Sequence, residues 1–349
     1  MRIEVLQENL INFFIQRCFA RIASQGLEGS SFPDTFNPSA FHDFILTIAN
    51  RQAPLSDPEK YVGVERVFRH VDLGHIAVSA DHLSTFSMFV FFQCIPNPST
   101  DRGSYRETIQ LCVALFRSLG LDSSKFLVTY FGGGEFGRQV VALDQEMLDF
   151  WREAGVKRSL LIEVKGNRNF TNFKRPGEPA GPRCEIFYPK VDGNYVEVAT
   201  VVFEKYVLNH DGELKPLRTR IYGAAIGVER LMMLLENKAN IFDCSVFSSI
   251  NSVLAEKVGV EVFRKQRIHI NQLVDSLRSL TAIINNIGLP VEKARYKRLK
   301  KLRNITMKRL EDLPVNRQRS LMDALAEKEP VLRKVWDHND FKMLLRHPG

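Results

Sequence analysis

The stretch "RVFRHVDLGHIAVSADHLSTF", residues 66 to 86, sets Arg66 and Arg69 three apart, then a loop holding His75, then Asp81, His82 and Phe86. An arginine closing one strand and an aromatic on the next, joined by a loop, let a guanidinium fork hold an α-phosphate while the ring stacks on adenine. That pairing suits ATP. Either residue alone also fits an ordinary role, Arg69 in a surface ion pair and Phe86 in the core. A second stretch, "RIYGAAIGVERLMMLLEN" at residues 220 to 237, bears on the same ligand. Gly223, Ala224, Ala225 and Gly227 leave a backbone with little side-chain bulk, which a planar ligand can approach closely. Val228 to Leu231 then enter a helix carrying Arg230, placed to cover the other face of adenine or to reach the γ-phosphate. Small residues here equally serve a helix that packs closely on a sheet.

The surrounding pattern must position these residues. Leu6, Leu10, Phe13, Phe14 and Cys18 fall at helical spacing, so an amphipathic helix is expected over residues 4 to 22. Loops are expected over residues 29 to 38 and 54 to 60, and helices over 104 to 119 and 143 to 153. Alternating or β-branched segments at 126 to 131, 159 to 164, 185 to 188, 195 to 207 and 216 to 221 read as strands. Their Asp-Gly-Asn and Asp-Gly turns favour an α+β fold: an antiparallel sheet flanked by helices. From about residue 252 the pattern is wholly helical. Leu273, Leu277, Leu280 and Ile284 form an apolar stripe stopping at residues 288 to 290, and a basic helix follows with Tyr296, Leu299, Leu302 and Ile305 on its buried face.

Composition agrees with a soluble protein of two parts. The 349 residues are 44% hydrophobic and 25% charged, with net charge +8. Residues 251 to 349 hold 21 Lys and Arg against 11 Asp and Glu, leaving 27 against 29 in the first 250. A basic module beside a nearly neutral one points to a polyanion partner for the former. The division is drawn as residues 1–248 and 249–349. The longest apolar run, Phe86 to Ile95, is too short to cross a membrane. The first residues carry no signal pattern, so a cytoplasmic protein without a membrane partner is expected. Five scattered cysteines suggest neither a disulfide framework nor a zinc site.

Taken together, the two stretches resemble motifs 2 and 3 of class II aminoacyl-tRNA synthetases, and the intervening residues resemble the alanyl-tRNA synthetases. Arg66 to Arg69 is similar to the arginine-bearing first strand of motif 2, and Asp72-Leu73 with His82 to Phe86 and Met88 to its loop and return strand. "GPRCEIFY" at 181 to 188, "YVEVATVVFEKY", "DGELKPL" and "IGVERL" are similar to later segments. The likeness runs from about Leu6 to Phe242 and continues through "LVDSLRSLTAIINNIGLP" toward the family's tRNA-recognition helices. It stops short of the editing and C-terminal domains, so a form lacking both is expected.

The resemblance implies a six- or seven-stranded antiparallel sheet binding ATP, usually with Mg2+, and an all-α domain after it. It implies that an amino-acid carboxylate attacks the α-phosphorus and that a tRNA 3′ end then takes the acyl group. Arg69 and Arg230 would be catalytic; Arg69, His82, Phe86, Met88, Gly227 and Arg230 would bind ATP. Glu185, Glu197, Thr200 and Gly223 would serve the amino acid or magnesium. Lys293, Arg295, Lys297, Arg298, Lys300 and Lys301 form a basic face suited to RNA phosphates. Several positions depart from the family. The aspartate that grips the substrate ammonium is replaced by Gly223, a Trp-Asn pair by Ala199-Thr200, and the arginine before the motif 2 histidine by Asp81. An asparagine that reads the acceptor stem is absent after Pro290, where Val291-Glu292 follow. A rebuilt pocket for an amino acid other than alanine is therefore expected. The alternatives are a tRNA-independent amino-acid ligase acting on a small molecule or protein, and a catalytically inactive RNA-binding paralogue.

Overall fold

The structure is a computed structural model and describes residues 2–51, 55–96, 101–136, 139–171, 176–287, 291–313, 315–337 and 340–341. The expected turn at 288 to 290 and part of the loop at 54 to 60 lie outside the described residues. The chain opens with helix α1 (Ile3–Ile15), strand β1 (Ala20–Arg21) and helix α2 (His42–Ala49). Strands β2 (Glu59–Phe68) and β3 (Thr85–Ile95) form a long hairpin, followed by α3 (Asp101–Ser118), β4 (Leu127–Phe131) and the small hairpin β5 (Gly134–Phe136) and β6 (Gln139–Val141). Then come α4 (Gln145–Glu153), β7 (Leu161–Val164), β8 (Pro179–Ala180), β9 (Arg183–Pro189), β10 (Tyr195–Leu208), β11 (Leu214–Gly227) and α5 (Val228–Leu235). The remaining named elements are helical: α6 (Ser248–Val258), α7 (Val260–Lys265), α8 (Arg267–Asn286), α9 (Lys293–Glu311), α10 (Val315–Lys328) and α11 (Leu332–Trp336).

The main sheet runs β1-β2-β3-β11-β10-β9-β4-β7, with β8 paired to the far end of β10. Its centre is antiparallel, as the sequence leads one to expect. Both edges differ: β1 pairs with β2 in parallel, and β4 with β7. A parallel neighbour requires a crossover connection, and the chain from β4 to β7 supplies one through α4. That helix is capped at its start by Asp144, whose carboxylate accepts the Met147 N–H at 3.1 Å.

Alternation along β3 explains its unbroken apolar sequence. Phe89, Phe91 and Ile95 point into the layer of helices, while Val90, Phe92 and Cys94 pack with α2 residues on the opposite face. Both faces are covered, so both parities are apolar. Leu6, Leu10, Ile11 and Phe14 of α1 are buried in the helical layer, with Phe14 stacked on Phe91 at 4.2 Å between ring centroids. Full burial of rings such as Phe89 and Phe91 stabilises the fold by roughly 2–3 kcal/mol each. The helix is shorter than periodicity alone suggests, because Cys18 takes a left-handed φ of 64° and turns the chain into β1.

The helices after Ser248 share this hydrophobic core, since Leu273, Val274 and Leu277 of α8 cluster with Phe89 and Leu231. In α9 the buried residues are Leu299, Leu302, Thr306 and Leu310, whereas Tyr296 and Ile305 are only partly covered. The expected stripe is thus rotated: its ends give way to Thr306 and Leu310, which keep the helical period from Leu299 and Leu302.

Candidate active site

A cavity of about 240 Å³ opens on the α2 face of the sheet, at the ends of β3, β9, β10 and β11. Its floor follows two adjacent rows on one face of the sheet, because Glu185 pairs with Thr200 and Thr200 with Ala225, and Met88 pairs with Gly227 two residues further along β11. Residues two apart along a strand share a face, so Arg183 comes in beside Glu185. Strand β11 runs straight into α5 without a loop, which puts Arg230 at the first turn of the helix, over the cavity. Arg69 follows the end of β2, its N–H donating to the Ser84 carbonyl at 2.7 Å.

Of the residues singled out in sequence, Arg69, His82, Phe86, Met88, Glu185, Glu197, Thr200, Gly227 and Arg230 all line this one cavity. Gly223 does not. It lies one pleat further along β11, paired with Phe92, and a Cβ there would overlap the Phe91 carbonyl oxygen and the Phe92 side chain. Close strand packing thus occupies the space that a longer side chain would need. Asp72, Asp81, Arg183 and Glu229 complete the polar lining. Arg183 was legible from its two-residue spacing to Glu185 on a strand, but nothing local marks Glu229 as inward.

Each lining arginine has a carboxylate partner. Arg69 Nε donates to Asp72 Oδ2 at 3.0 Å, Arg183 Nη2 lies 2.9 Å from Glu185 Oε1, and Arg230 Nη1 lies 3.4 Å from Glu197 Oε2. Arg230 also donates to the carbonyl oxygens of Asp81 and Glu197, each at 3.0 Å, and Thr200 Oγ1 donates to Glu197 Oε1 at 3.1 Å. Such bonds hold planar guanidinium groups in one orientation. Burial opposes charge on Asp81, but His82, Arg230 and Ser79 outweigh it and hold its carboxyl down at about 2. Burial raises Glu185, with Glu197 adding to the rise and Arg183 working against it. The site therefore pairs fixed cationic forks with two mutually repelling carboxylates. Among the described residues no group of three or more His, Cys, Asp or Glu side chains is arranged to hold a metal by itself.

The basic helix divides into two kinds of residue. Lys293, Lys297, Lys300 and Lys301 are exposed, and the last three line a shallow, open groove on the helix face with Asn304, Ile305 and Lys308. Arg298 is partly exposed, 3.9 Å from Asp34. Arg295 corrects the expectation of a basic RNA-facing residue. Its side chain is 13% exposed, donates to the carbonyls of Thr35, Gly29 and Phe32 at 3.0, 2.9 and 3.3 Å, and lies 3.6 Å from Glu28. It turns inward because the loop before α2 aims three carbonyl oxygens at it, two of which, those of Gly29 and Phe32, also accept the weaker backbone N–H bonds of Phe32 and Thr35 at 3.4 and 3.3 Å.

An antiparallel sheet with a helical layer on one face and a charged pocket on the other defines the class of domain. The chain belongs to the class II tRNA synthetases: the family profile described as tRNA synthetases class II (A) matches residues 40–329. Similar curated proteins include the alanine-tRNA ligase of Candida albicans, 28% identical over 249 residues, which are 65% of this chain and 25% of that protein. The alanine-tRNA ligase of Hydrogenovibrio crunogenus is 25% identical over 311 residues, covering 83% of this chain and 34% of that protein. The chain thus spans a quarter to a third of the length of these relatives. Among solved structures, the RNA binding domain of threonyl-tRNA synthetase from Cryptosporidium parvum Iowa II is similar at 9% identity and TM-score 0.48, covering 67% of this chain and 64% of that one. Among the described residues no helix is long and apolar enough to cross a membrane.

Proposed function

We propose that this protein joins an amino acid to ATP as an aminoacyl-adenylate and passes the acyl group to the 3′ end of a tRNA. The observation that carries the reading is the convergence of Arg69, Phe86 and Arg230 on one cavity with Glu185 and Glu197, in a chain of this family. An amino-acid carboxylate oxygen attacks the α-phosphorus, the bond to the bridging oxygen breaks, and pyrophosphate leaves. A tRNA hydroxyl then takes the acyl group, and AMP leaves. No side-chain nucleophile is needed, so the protein's share is positioning and charge stabilisation. The Arg69 fork faces the phosphorus as negative charge builds, exchanging Asp72 for phosphate oxygens. Phe86 and Arg230 cover the two faces of adenine, with Met88, His82 and Gly227 shaping the slot.

The substrate ammonium finds its counter-charge at Glu185 and Glu197. A cation there would offset the burial and the lesser repulsion from Glu197 that raise Glu185. Magnesium, which needs only one or two carboxylates besides phosphate oxygens, fits the same pair and would neutralise charge on the phosphates when bound. Space closed at Gly223 and a threonine at Thr200 set this pocket apart from the relatives' pattern, in keeping with a substrate other than alanine. The basic module, residues 249–349, would hold tRNA by phosphate contacts along the Lys297–Lys300–Lys301 groove. A cytoplasmic setting fits this work.

Burial of Val291, 2% exposed, favours a second reading. The position that follows Pro290 cannot read a base, which suits a ligase that passes the acyl group to a small molecule or a protein. Amino-acid-dependent exchange between ATP and pyrophosphate, measured over the proteinogenic amino acids with and without tRNA, tests both. Exchange with one amino acid and label transfer to tRNA supports the first; exchange without transfer supports the second. No exchange with any proteinogenic amino acid moves the test to non-proteinogenic ones, and no exchange there either defeats both and leaves an RNA-binding paralogue.

A further inference from the structure

Helix α8 buries charged side chains behind the pocket, in an interface that apolar residues could fill at least as stably. Asp275 is 2% exposed and accepts from the Ser84 N–H at 2.9 Å and from the Ser84 hydroxyl, while Ser279 lies 2.8 Å from that hydroxyl. One turn on, Arg278 donates to the Thr85 carbonyl and to the Glu229 carboxylate. Glu229 is 1% exposed and also accepts the Ser87 N–H at 2.9 and 3.1 Å. Burial and the like charge of Arg278 lower the affinity of the Arg66 guanidinium for its proton, and the Glu229 carboxylate works the other way.

The partners of these two side chains are specific. Thr85 and Ser87 flank Phe86, Glu229 precedes Arg230, and Ser84 accepts the Arg69 N–H. We infer that Arg278 and Asp275 are positioning residues for the nucleotide site, so that α8 is a structural part of that site rather than only a support for RNA binding. The inference rests on the proposed ATP reading for its function. Its geometry is independent of it: a single helix face sets the backbone or neighbouring residue of Arg69, Phe86 and Arg230. Arg295 offers an internal control, because it also ties the helical region to the sheet region, through carbonyls of the loop at Gly29 to Thr35 that do not line the pocket.

Two readouts on the full chain separate the outcomes. Amide hydrogen exchange at residues 84–88 and 228–230 should speed up by about tenfold or more in Arg278→Ala and remain at the parent rate in Arg295→Ala, with thermal unfolding measured for both. Affinity for magnesium-ATP, by calorimetry, should fall about 10- to 100-fold in Arg278→Ala and stay within about twofold in Arg295→Ala. Arg278→Lys keeps the charge but not the fork, and should recover part of the loss; it also serves if the alanine variant does not fold. Unchanged exchange at those residues in the Arg278 variants, or equal loosening in Arg295→Ala, overturns the inference. Faster exchange in the Arg278 variants of a protein whose parent form binds no ATP would uphold the positioning role and defeat the ATP reading instead.

Discussion

The pocket and the groove on α9 handle positive charge in opposite ways. In the pocket, Arg69, Arg183 and Arg230 each face a carboxylate on the same wall. The groove is lined by Lys297, Lys300, Lys301 and Lys308 with no acid among its lining residues. Paired guanidinium groups are held in one orientation and present a pre-aimed fork, at the cost of a partner that the ligand must displace. Exposed ammonium groups on flexible stems hold a polyanion by releasing its counterions, with little demand on geometry. Under the proposed function, the contrast would give shape-selective work to the sheet and shape-tolerant work to the helix.

The largest expected effect falls on the pocket. Arg69→Ala should lower pyrophosphate exchange by about 10²- to 10³-fold, the scale for removing one donor to developing charge. Binding of tRNA, read by filter retention, should be unchanged; a parallel loss of RNA binding would erase the division between the two regions.

Restoring a carboxylate at Gly223 sharpens the contrast in another way. Gly223→Asp should destabilise the protein by about 1–3 kcal/mol, through overlap with β3, and should not confer alanine activation. A stable variant with new alanine-dependent exchange would show that the pocket can open where the strands now touch.

On the helix, the paired reversal Lys300→Glu and Lys301→Glu should weaken tRNA binding by about tenfold near 0.1 M salt. It should flatten the salt dependence of log affinity by about 0.7 to 0.9 for each phosphate left without its lysine. Pyrophosphate exchange should not respond. A fall in exchange as large as the fall in RNA affinity would mean the groove is not a separate surface.

A last effect, small at any one pH step, concerns a carboxyl used by neither region. Glu204 on β10 is raised to about 7 by burial and by the neighbouring Glu178, against a hydrogen bond from Thr171; His42 lies 3.5 Å from Glu178. The folded state therefore holds this proton more tightly than the unfolded chain, so the stabilisation is complete below pH about 4.5 and is lost as pH rises through about 7. Chemical denaturation across that window should show a decline on the order of 1 kcal/mol per pH unit, reduced in Glu204→Gln. Asp275, raised to about 6 by burial, leaves a residual decline of the same sign. A parent protein whose stability rises through this window would refute the assignment.

Much of this was legible in the sequence because it rests on short-range pattern. The hairpin strands around residues 66 and 86, the small-residue run into α5 and the helical stripe of α8 are set by periodicity and by residue size. The edges of the sheet were not, because a parallel partner is chosen by the path of a crossover, here through α4. Arg295 looked like its lysine neighbours, and only the carbonyls of a loop some 260 residues earlier in the chain turned it inward. Glu229 and Arg278 carry no local sign of burial, since charged side chains are ordinarily exposed.

The sequence by itself determined the family-like motifs, the excess of positive charge in its last third and the residue types that the proposed ATP reading uses, because covalent order and periodicity carry those directly. Tertiary structure alone decided which of those residues share a cavity and that Gly223 is shut against β3. It also decided that a buried ion pair from α8 stands behind the proposed nucleotide clamp, because contacts between residues 49 to 193 positions apart depend on how helices pack on a twisted sheet.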